Sequence, residues 1–288
     1  MSEFVIYTDS ACDLSPELLQ SWGVPYKQLT FKFEGDATEY ANEDMDIKTF
    51  YNRMRDGGVA KTAAVNSQAF YDDFEKIVAD GKDILYVGFS SGLSTTYNSA
   101  RLAAEQLAPK YPDRKIITVD TLAASAGEGL LLRLALDKKE AGADIEEVAE
   151  YVRSMIHRIS IWFTVDDLVY LKRGGRVSGV TAFVGNLLGI KPVLHMDDDG
   201  HLINMDKVRG RKNAIAALAN KYTELAEPKE ENIIYISHAD CEADAIALSN
   251  MIEERHGVKA SIITNVGTVI GAHAGPGTLA LFFIGKER

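Results

Sequence analysis

The sequence predicts an α/β fold of two domains: an N-terminal three-layer domain whose parallel sheet lies between helices, and a C-terminal two-layer domain with a mixed sheet and helices. With 288 residues, 46% of them hydrophobic and 25% charged, the chain is long enough for two cores. Strand-like and helix-like runs alternate over the first half, which favours a parallel sheet. Later in the chain an Asp-Gly pair between β-prone runs indicates a hairpin.

Strand, loop and helix follow one another three times in the first half. Phe4–Tyr7 is a β-prone run, and the next helix starts at Ser15-Pro16, because serine favours the N-cap and proline the first helical position. Gly23 is suited to end that helix. The two later units are a strand at Ile84–Val87 with a helix near Thr95–Leu107, and a strand at Lys115–Val119 with a helix over Ala123–Glu140.

The pattern changes after a helix predicted over Ile145–His157, where valine and isoleucine recur at a spacing of four. The domain boundary is therefore placed at residue 158, which gives domains of residues 1–158 and 159–288. The second domain begins its predicted sheet with a hairpin, in which Lys191–Met196 and His201–Asp206 flank the turn. Its remaining predicted elements are a helix at Lys212–Leu225, a strand at Ile233–Ser237, a helix at Glu242–Arg255 and strands near Ser261 and Leu279.

Composition narrows the classes of function. The net charge of −11 disfavours nucleic acid and anionic membrane surfaces as partners. Cys12 and Cys241 lie far apart and indicate neither a disulfide framework nor a thiolate zinc site, which fits a cytoplasmic location. The start of the chain does not resemble an export signal, and no run of about eighteen apolar residues predicts membrane insertion.

The segment Gly88–Tyr97 is the most informative loop. It contains five serine or threonine hydroxyls and two glycines between a predicted strand and a predicted helix. Backbone N–H groups at a helix start, together with hydroxyl donors, suit a carboxylate or phosphate. In the alternative interpretation, Ser94 or Thr95 only caps the helix and the rest is a turn.

The same segment also matches Gly-x-Ser-x-Gly, the nucleophile elbow of serine hydrolases, with Ser90 at its centre and His273 downstream. A His-Gly-Gly-Gly oxyanion segment is missing from the sequence, and few strands precede Ser90. The hydrolase therefore stays as the alternative to a binding loop.

Three other segments have both a functional and a structural interpretation. His273 lies among small residues in Gly267–Gly277, either facing a ligand or bonded to backbone in a turn. Two basic clusters, Lys172–Arg176 and Lys207–Lys212, suit an anion or an acidic partner but also fit a solvated face. His238–Cys241 holds three possible metal ligands, yet without a second cluster no metal site is predicted.

Eight short segments form a specific combination that extends over nearly the whole chain. They are Tyr7–Leu14, Lys61-Thr62, Ser90–Ala100, Val119–Thr121, Leu171–Ser178, Asn186–Pro192, Lys207–Arg211 and His273–Gly277. In this combination the sequence resembles the DegV family. The one departure is Ala63–Asn66, where the family usually has Ser-Gln-Pro after the threonine.

The resemblance implies a function as well as the two-domain fold. It implies a long-chain fatty acid between the domains and the role of binding subunit of bacterial fatty acid kinase. A separate ATP-dependent kinase would then convert the presented carboxylate to acyl-phosphate for phospholipid synthesis. The chain itself is expected to have no catalytic residue, cofactor or metal. A lipid sensor without a kinase is the further alternative.

The resemblance also implies roles for single residues. The residues that match the family's carboxylate ligands are Thr62, Ser91 and His273. Further candidates around the head group are Ser10, Ser90, Gly92 and Ser94, and candidates for kinase contact are Arg173, Arg209 and Arg211. About fifteen buried methylenes would contribute about 12 kcal/mol before ordering costs. Hydroxyls and an imidazole are then expected to hold the head group without a fixed cation.

Overall fold

The computed structural model describes residues 3–177, 189–227 and 233–288. Its strands are β1 (Phe4–Asp9), β2 (Tyr26–Lys27), β3 (Thr30–Phe33), β4 (Tyr40–Ala41), β5 (Ala60–Ala63), β6 (Asp83–Gly88), β7 (Ile116–Asp120), β8 (Ile159–Thr164), β9 (Ile190–Met196), β10 (Leu202–Arg209), β11 (Ile234–His238), β12 (Ile262–Asn265) and β13 (Leu279–Ile284). Its helices are α1 (Pro16–Ser21), α2 (Ile47–Arg55), α3 (Ser67–Ala79), α4 (Thr96–Leu107), α5 (Ala126–Glu140), α6 (Ile145–Met155), α7 (Val169–Gly174), α8 (Arg211–Leu225), α9 (Glu242–His256) and α10 (Thr268–Ala274).

The first sheet is parallel throughout, with strand order β2-β1-β6-β7. Helices α3 and α4 pack on each other and on β6, and α5 and α6 form a second pair that also contacts β6. Residues 84–87 of β6 are fully buried, as expected for a strand that is covered on both faces. The predicted three-layer arrangement is confirmed.

A small antiparallel sheet of order β4-β3-β5 was not predicted. Its strands are two to four residues long, too short for a clear period-2 pattern. Helices α2 and α3 also lie in a stretch without predicted elements. Asn66 is the N-cap of α3, since its side chain accepts a hydrogen bond from the Ala69 N–H at 2.9 Å.

The second sheet is mixed, with order β10-β9-β8-β13-β11-β12. Its strands pair antiparallel except for β11 and β12, which are parallel. The predicted hairpin is β9–β10, and Gly200 takes the positive φ of 75° that its turn requires. Helices α8 and α9 cover one face of this sheet.

Helix α5 lies between the two large sheets. It contacts β1 and β6 on one side and β8, β11 and β13 on the other. It begins at Ala126 and not at the predicted Ala123, because residues 121–125 form a turn in which Leu122 and Ser125 have positive φ. The largest hydrophobic cluster passes from the first sheet through α5 to the second. The domain boundary at residue 158 stays a prediction.

Residues 267–277, expected to be a loop, contain helix α10, and His273 lies in its last turn. The hydroxyl of Thr268 donates to the Asn42 backbone carbonyl at 2.8 Å, and the Val269 N–H donates to the Asn42 side chain at 3.0 Å. The start of α10 is therefore anchored to the N-terminal half of the chain. Of the family-like segments, Ser178 and Asn186–Leu188 lie outside the described residues.

Candidate functional site

A cavity of about 470 Å³ lies between α5, the second sheet and α10. This volume is within the usual range for small-molecule sites, about 300–1,000 Å³. Its interior is apolar and is formed by Leu29, Phe89, Ala124, Ile161, Phe163, Leu171, Met196, Leu202, Val266, Val269, Ile270, Ala280 and Phe282. The polar residues at its wall are Thr62, Ser91, Ser94, Thr95, Ser125, Arg176, Ser237, His273 and Thr278.

Thr62 and His273 meet at this cavity from distant parts of the sequence. The Thr62 Oγ1 lies 2.8 Å from the His273 Nε2. Burial, with a smaller contribution from the Arg176 charge, lowers the pKa of His273 to about 4, so the imidazole is neutral at pH 7. With the ring proton on Nε2, the imidazole donates to Thr62, and the Thr62 hydroxyl is free to donate to a ligand carboxylate.

The position of His273 depends on a glycine in α7. A Cβ atom at Gly174 would lie 2.2 Å from the His273 Nδ1, so only glycine lets the ring occupy this place. Gly174 of the Lys172–Arg176 cluster thus has a packing role beside the imidazole, whereas Gly175 ends α7 with a positive φ of 68°.

The Gly88–Tyr97 loop reaches the cavity with Ser91, Gly92, Ser94 and Thr95. Most of its backbone N–H groups are used internally: Ser91 donates to Asp120 at 3.2 Å, and Leu93 and Ser94 donate to the Ser90 carbonyl. The Ser91 side chain makes no hydrogen bond among the described residues. Donors for a ligand therefore come from hydroxyls more than from the helix N-terminus that the sequence suggested.

Ser90 and Ser10 do not line the cavity. Ser90 is fully buried, donates to the Gly200 carbonyl at 3.0 Å and accepts from the Gly92 N–H at 3.2 Å. Its φ is not positive, whereas the serine of a nucleophile elbow is strained and exposed. Ser10 is also buried and accepts from the Leu29 N–H at 3.0 Å. Both serines hold loops together, and the geometry does not support a nucleophile at Ser90.

Arg176 places a cation at the wall of the cavity, where the sequence led us to expect hydroxyls and an imidazole. It is the one charged residue among the described residues that line the cavity. Its Nε donates to the Leu93 carbonyl at 3.3 Å, which holds the guanidinium beside the serine loop. Sequence reasoning placed this arginine in a basic cluster but could not say which member of the cluster faces the cavity.

Comparison with known proteins decides the family. The model of the DegV family of uncharacterised proteins matches residues 3–286. A DegV domain-containing protein of Clostridium perfringens is 43% identical over 100% of this chain and 99% of its own length. This chain is a member of the DegV family. A fatty acid-binding protein of Thermotoga maritima is 36% identical over 98% of both chains. The crystal structure of a stearic acid-binding protein from Eubacterium ventriosum has a TM-score of 0.88, 27% identity and 98% coverage of each chain.

The DegV segments differ in their distance from the cavity. Residues of the Ser90–Ala100 and His273–Gly277 segments line it, as do Thr62, Leu171 and Arg176. Ala63 and Ala64, from the segment in which the sequence analysis found a departure from the family pattern, also line it.

The two basic clusters of this DegV protein lie outside the cavity, except for Arg176. Arg173 is exposed and stacks over the Tyr170 ring at 5.7 Å. Arg211 is engaged in the fold, since its Nε donates to Asp244 at 2.8 Å. Arg209 is exposed and makes no side-chain hydrogen bond among the described residues.

Two further features of the described chain concern metals and membranes. His238 accepts a hydrogen bond from the Cys241 N–H at 3.4 Å, and no group of three or more metal-ligating side chains lies together in residues 3–177, 189–227 and 233–288. Within these same ranges, every helix is too short or too polar to span a bilayer. Cys12 and Cys241 are free thiols.

Proposed function

We propose that this DegV protein binds one long-chain fatty acid, with its tail in the apolar cavity and its carboxylate at Thr62, Ser91 and His273. The observation that carries the proposal is the combination of an apolar interior with hydroxyls, an imidazole and one guanidinium on the cavity wall. The fatty acids named for its relatives support the same ligand class.

The chemistry of the wall suits a carboxylate. The Thr62 hydroxyl, oriented by His273, and the Ser91 hydroxyl, which has no partner within residues 3–177, 189–227 and 233–288, are neutral donors. Hydrogen bonds to a charged acceptor contribute about 1.5–3 kcal/mol each. Arg176 adds a charge that is exposed to water and therefore a weaker attraction. The buried tail supplies most of the affinity, at about 0.8 kcal/mol for each methylene.

Replacement of Thr62 by valine tests the head-group assignment. Thr62→Val keeps the shape of the side chain and removes the donor, so the Kd for stearic acid is expected to rise about tenfold. The matched control is Thr223→Val, which breaks another Thr–His hydrogen bond of 2.8 Å, between α8 and α9 and away from the cavity. Equal loss in both variants, or no loss in Thr62→Val, would refute the assignment.

We further propose that the bound carboxylate is presented, in the cytoplasm, to a separate ATP-dependent kinase that forms acyl-phosphate. A carboxylate held by neutral donors keeps an oxygen available for attack on a γ-phosphoryl group. Arg209 and Arg173 are exposed cations suited to contact with such a partner. Arg211 is a poorer candidate because Asp244 already pairs with it.

A charge reversal separates binding from presentation. Arg209→Glu is expected to retain fatty acid and to lower kinase-dependent acyl-phosphate formation, whereas Lys221→Glu on the far side of the second sheet serves as a charge-matched control. Normal turnover of Arg209→Glu would remove this residue from the interface. A protein that binds lipid but supports no kinase would favour the sensor alternative.

A further inference from the structure

Two hydroxyls interrupt the apolar interior of the cavity. The Ser125 hydroxyl donates to the Ser237 Oγ at 2.9 Å, and both residues are buried and line the cavity. We call them the hydroxyl pair. A plain alkyl tail offers no hydrogen-bond partner, so polar groups in its path need an explanation.

The register of the second sheet gives the depth of the hydroxyl pair. Three successive inward-facing residues are Thr278, just before β13, and Ala280 and Phe282 within it. Neighbouring members of this series lie about 7 Å apart, because alternate residues of a strand share a face. The Thr278 hydroxyl donates to the carbonyls of Ala274 and Gly275, the two residues that follow His273 at the end of α10. Ser237 pairs with Ala280. The hydroxyl pair therefore lies one step deeper than the head-group end, at the middle of the cavity.

Ser125 is held in its place at a conformational cost. It has φ 54° and ψ −147°, a region that glycine favours, and its N–H donates to the Ala11 carbonyl at 2.8 Å. Non-glycine residues persist in such conformations where the surrounding structure fixes them, often at ligand sites. The backbone thus fixes a hydroxyl at the cavity wall where an alanine or a glycine would suffice for packing.

The hydroxyl pair has an unused hydrogen-bonding group in either of its arrangements. When Ser125 donates to Ser237, as observed, the Ser237 hydroxyl hydrogen has no acceptor among the described residues. The Asp13 Oδ2, which also has no hydrogen-bond partner in the described part of the chain, lies near Ser125 behind the wall. If Ser125 donates to Asp13 instead, Ser237 donates to Ser125 and presents an oxygen acceptor to the cavity. A ligand hydroxyl satisfies both arrangements because it donates and accepts.

We propose that the cavity favours an acyl chain that carries a mid-chain hydroxyl group, which hydrogen-bonds to Ser237. This inference rests on the proposed fatty acid binding and adds the substrate class. Ser237 is then a specificity-determining residue, and Ser125 positions it.

Binding of stearic acid is compared with binding of a series of monohydroxystearic acids that differ in the position of the hydroxyl. One mid-chain isomer is expected to bind wild-type protein about fivefold more tightly than stearic acid, and isomers with the hydroxyl near either end more weakly. Ser237→Ala is expected to remove this preference, so that no isomer binds this variant more tightly than stearic acid does.

Two controls keep the experiment interpretable. Ser160→Ala changes a buried serine on the opposite face of the same sheet and should keep the preference. Ser125→Ala leaves Ser237 in place and is expected to weaken the preference without loss of fold. Equal binding of stearic acid and every isomer by wild type, or a preference that survives Ser237→Ala, would overturn this inference alone. Binding of no acid at all would instead refute the proposed function on which it rests.

Discussion

The two faces of the six-stranded sheet are built from alternate residues of the same strands, yet one is a packed core and the other encloses a cavity. On the face under α8 and α9, Trp162, Leu281 and Phe283 are large and almost fully buried. On the face towards α5, the central positions hold Ala280 and Ser237. The cavity therefore arises from small side chains at the centre of one face of an otherwise well-packed sheet.

The largest expected effect comes from exchanging the properties of the two faces. Ala280→Phe fills the cavity and is expected to abolish stearic acid retention with little change in the free energy of unfolding. Leu281→Ala, one residue along the strand, opens the packed face and is expected to lower that free energy by about 2–5 kcal/mol while lipid binding persists. Urea unfolding and ligand extraction on both variants measure the two effects. Loss of lipid in Leu281→Ala alone would show that the faces are not independent.

The sequence predicted the large features of both faces. The alternation of strands and helices, the Asp-Gly hairpin and the helices α8 and α9 all follow from local patterns that the structure retains. Strands β3, β4 and β5 are too short to show a pattern. Strand β5 carries Thr62, and its contact with His273 joins residues that are 211 positions apart. Local sequence patterns do not reveal contacts over such a distance along the chain.

Candidate site residues could be named from the sequence where a family-like motif contains them, and less so where a contribution depends on three-dimensional placement. Thr62, Ser91 and His273 do meet at one cavity. Ser90 matched a catalytic pattern, but the turn at Gly200 buries it. The strained serine is Ser125, which lies within a stretch that the sequence predicted as helix, since helix periodicity does not reveal a positive φ.

The second-largest expected effect is a pH dependence of stability that comes from one buried carboxyl group on the cavity side of the sheet. Burial raises the pKa of Asp13, behind the cavity face, from 3.8 to about 7, in opposition to the nearby Ser125 hydroxyl and to the hydrogen bond from the Gly267 N–H. The folded state therefore binds a proton more tightly than the unfolded state. The stability from this group is fully present below about pH 4 and is lost as the pH rises to about 7.

Substitution of Asp13 by asparagine tests this pH dependence. At about 1.4 kcal/mol for each pKa unit, the wild-type free energy of unfolding should fall by up to about 4 kcal/mol between pH 4 and pH 7 through this group. In Asp13→Asn that part of the slope should disappear, as measured by urea unfolding at several pH values. An unchanged slope would mean that Asp13 is ionised in the folded protein at pH 4 as well.

The smallest expected effect concerns the charge at the cavity wall. Because Arg176 is exposed, Arg176→Gln should raise the Kd for stearic acid only about threefold, and the difference should shrink as salt is added. Arg173→Gln, in the same cluster but outside the cavity, is the matched control. A loss in Arg176→Gln larger than that in Thr62→Val would mean that the cation, and not the hydroxyls, holds the head group.

Native and denaturing mass spectrometry of the protein purified from a bacterial host tests the central claim, that the open face of the second sheet holds a fatty acid tail. We expect one long-chain fatty acid for each wild-type chain, released on unfolding, and none in folded Ala280→Phe. Wild-type protein that remains lipid-free after incubation with stearic acid, or Ala280→Phe that carries as much lipid as wild type, would contradict the account.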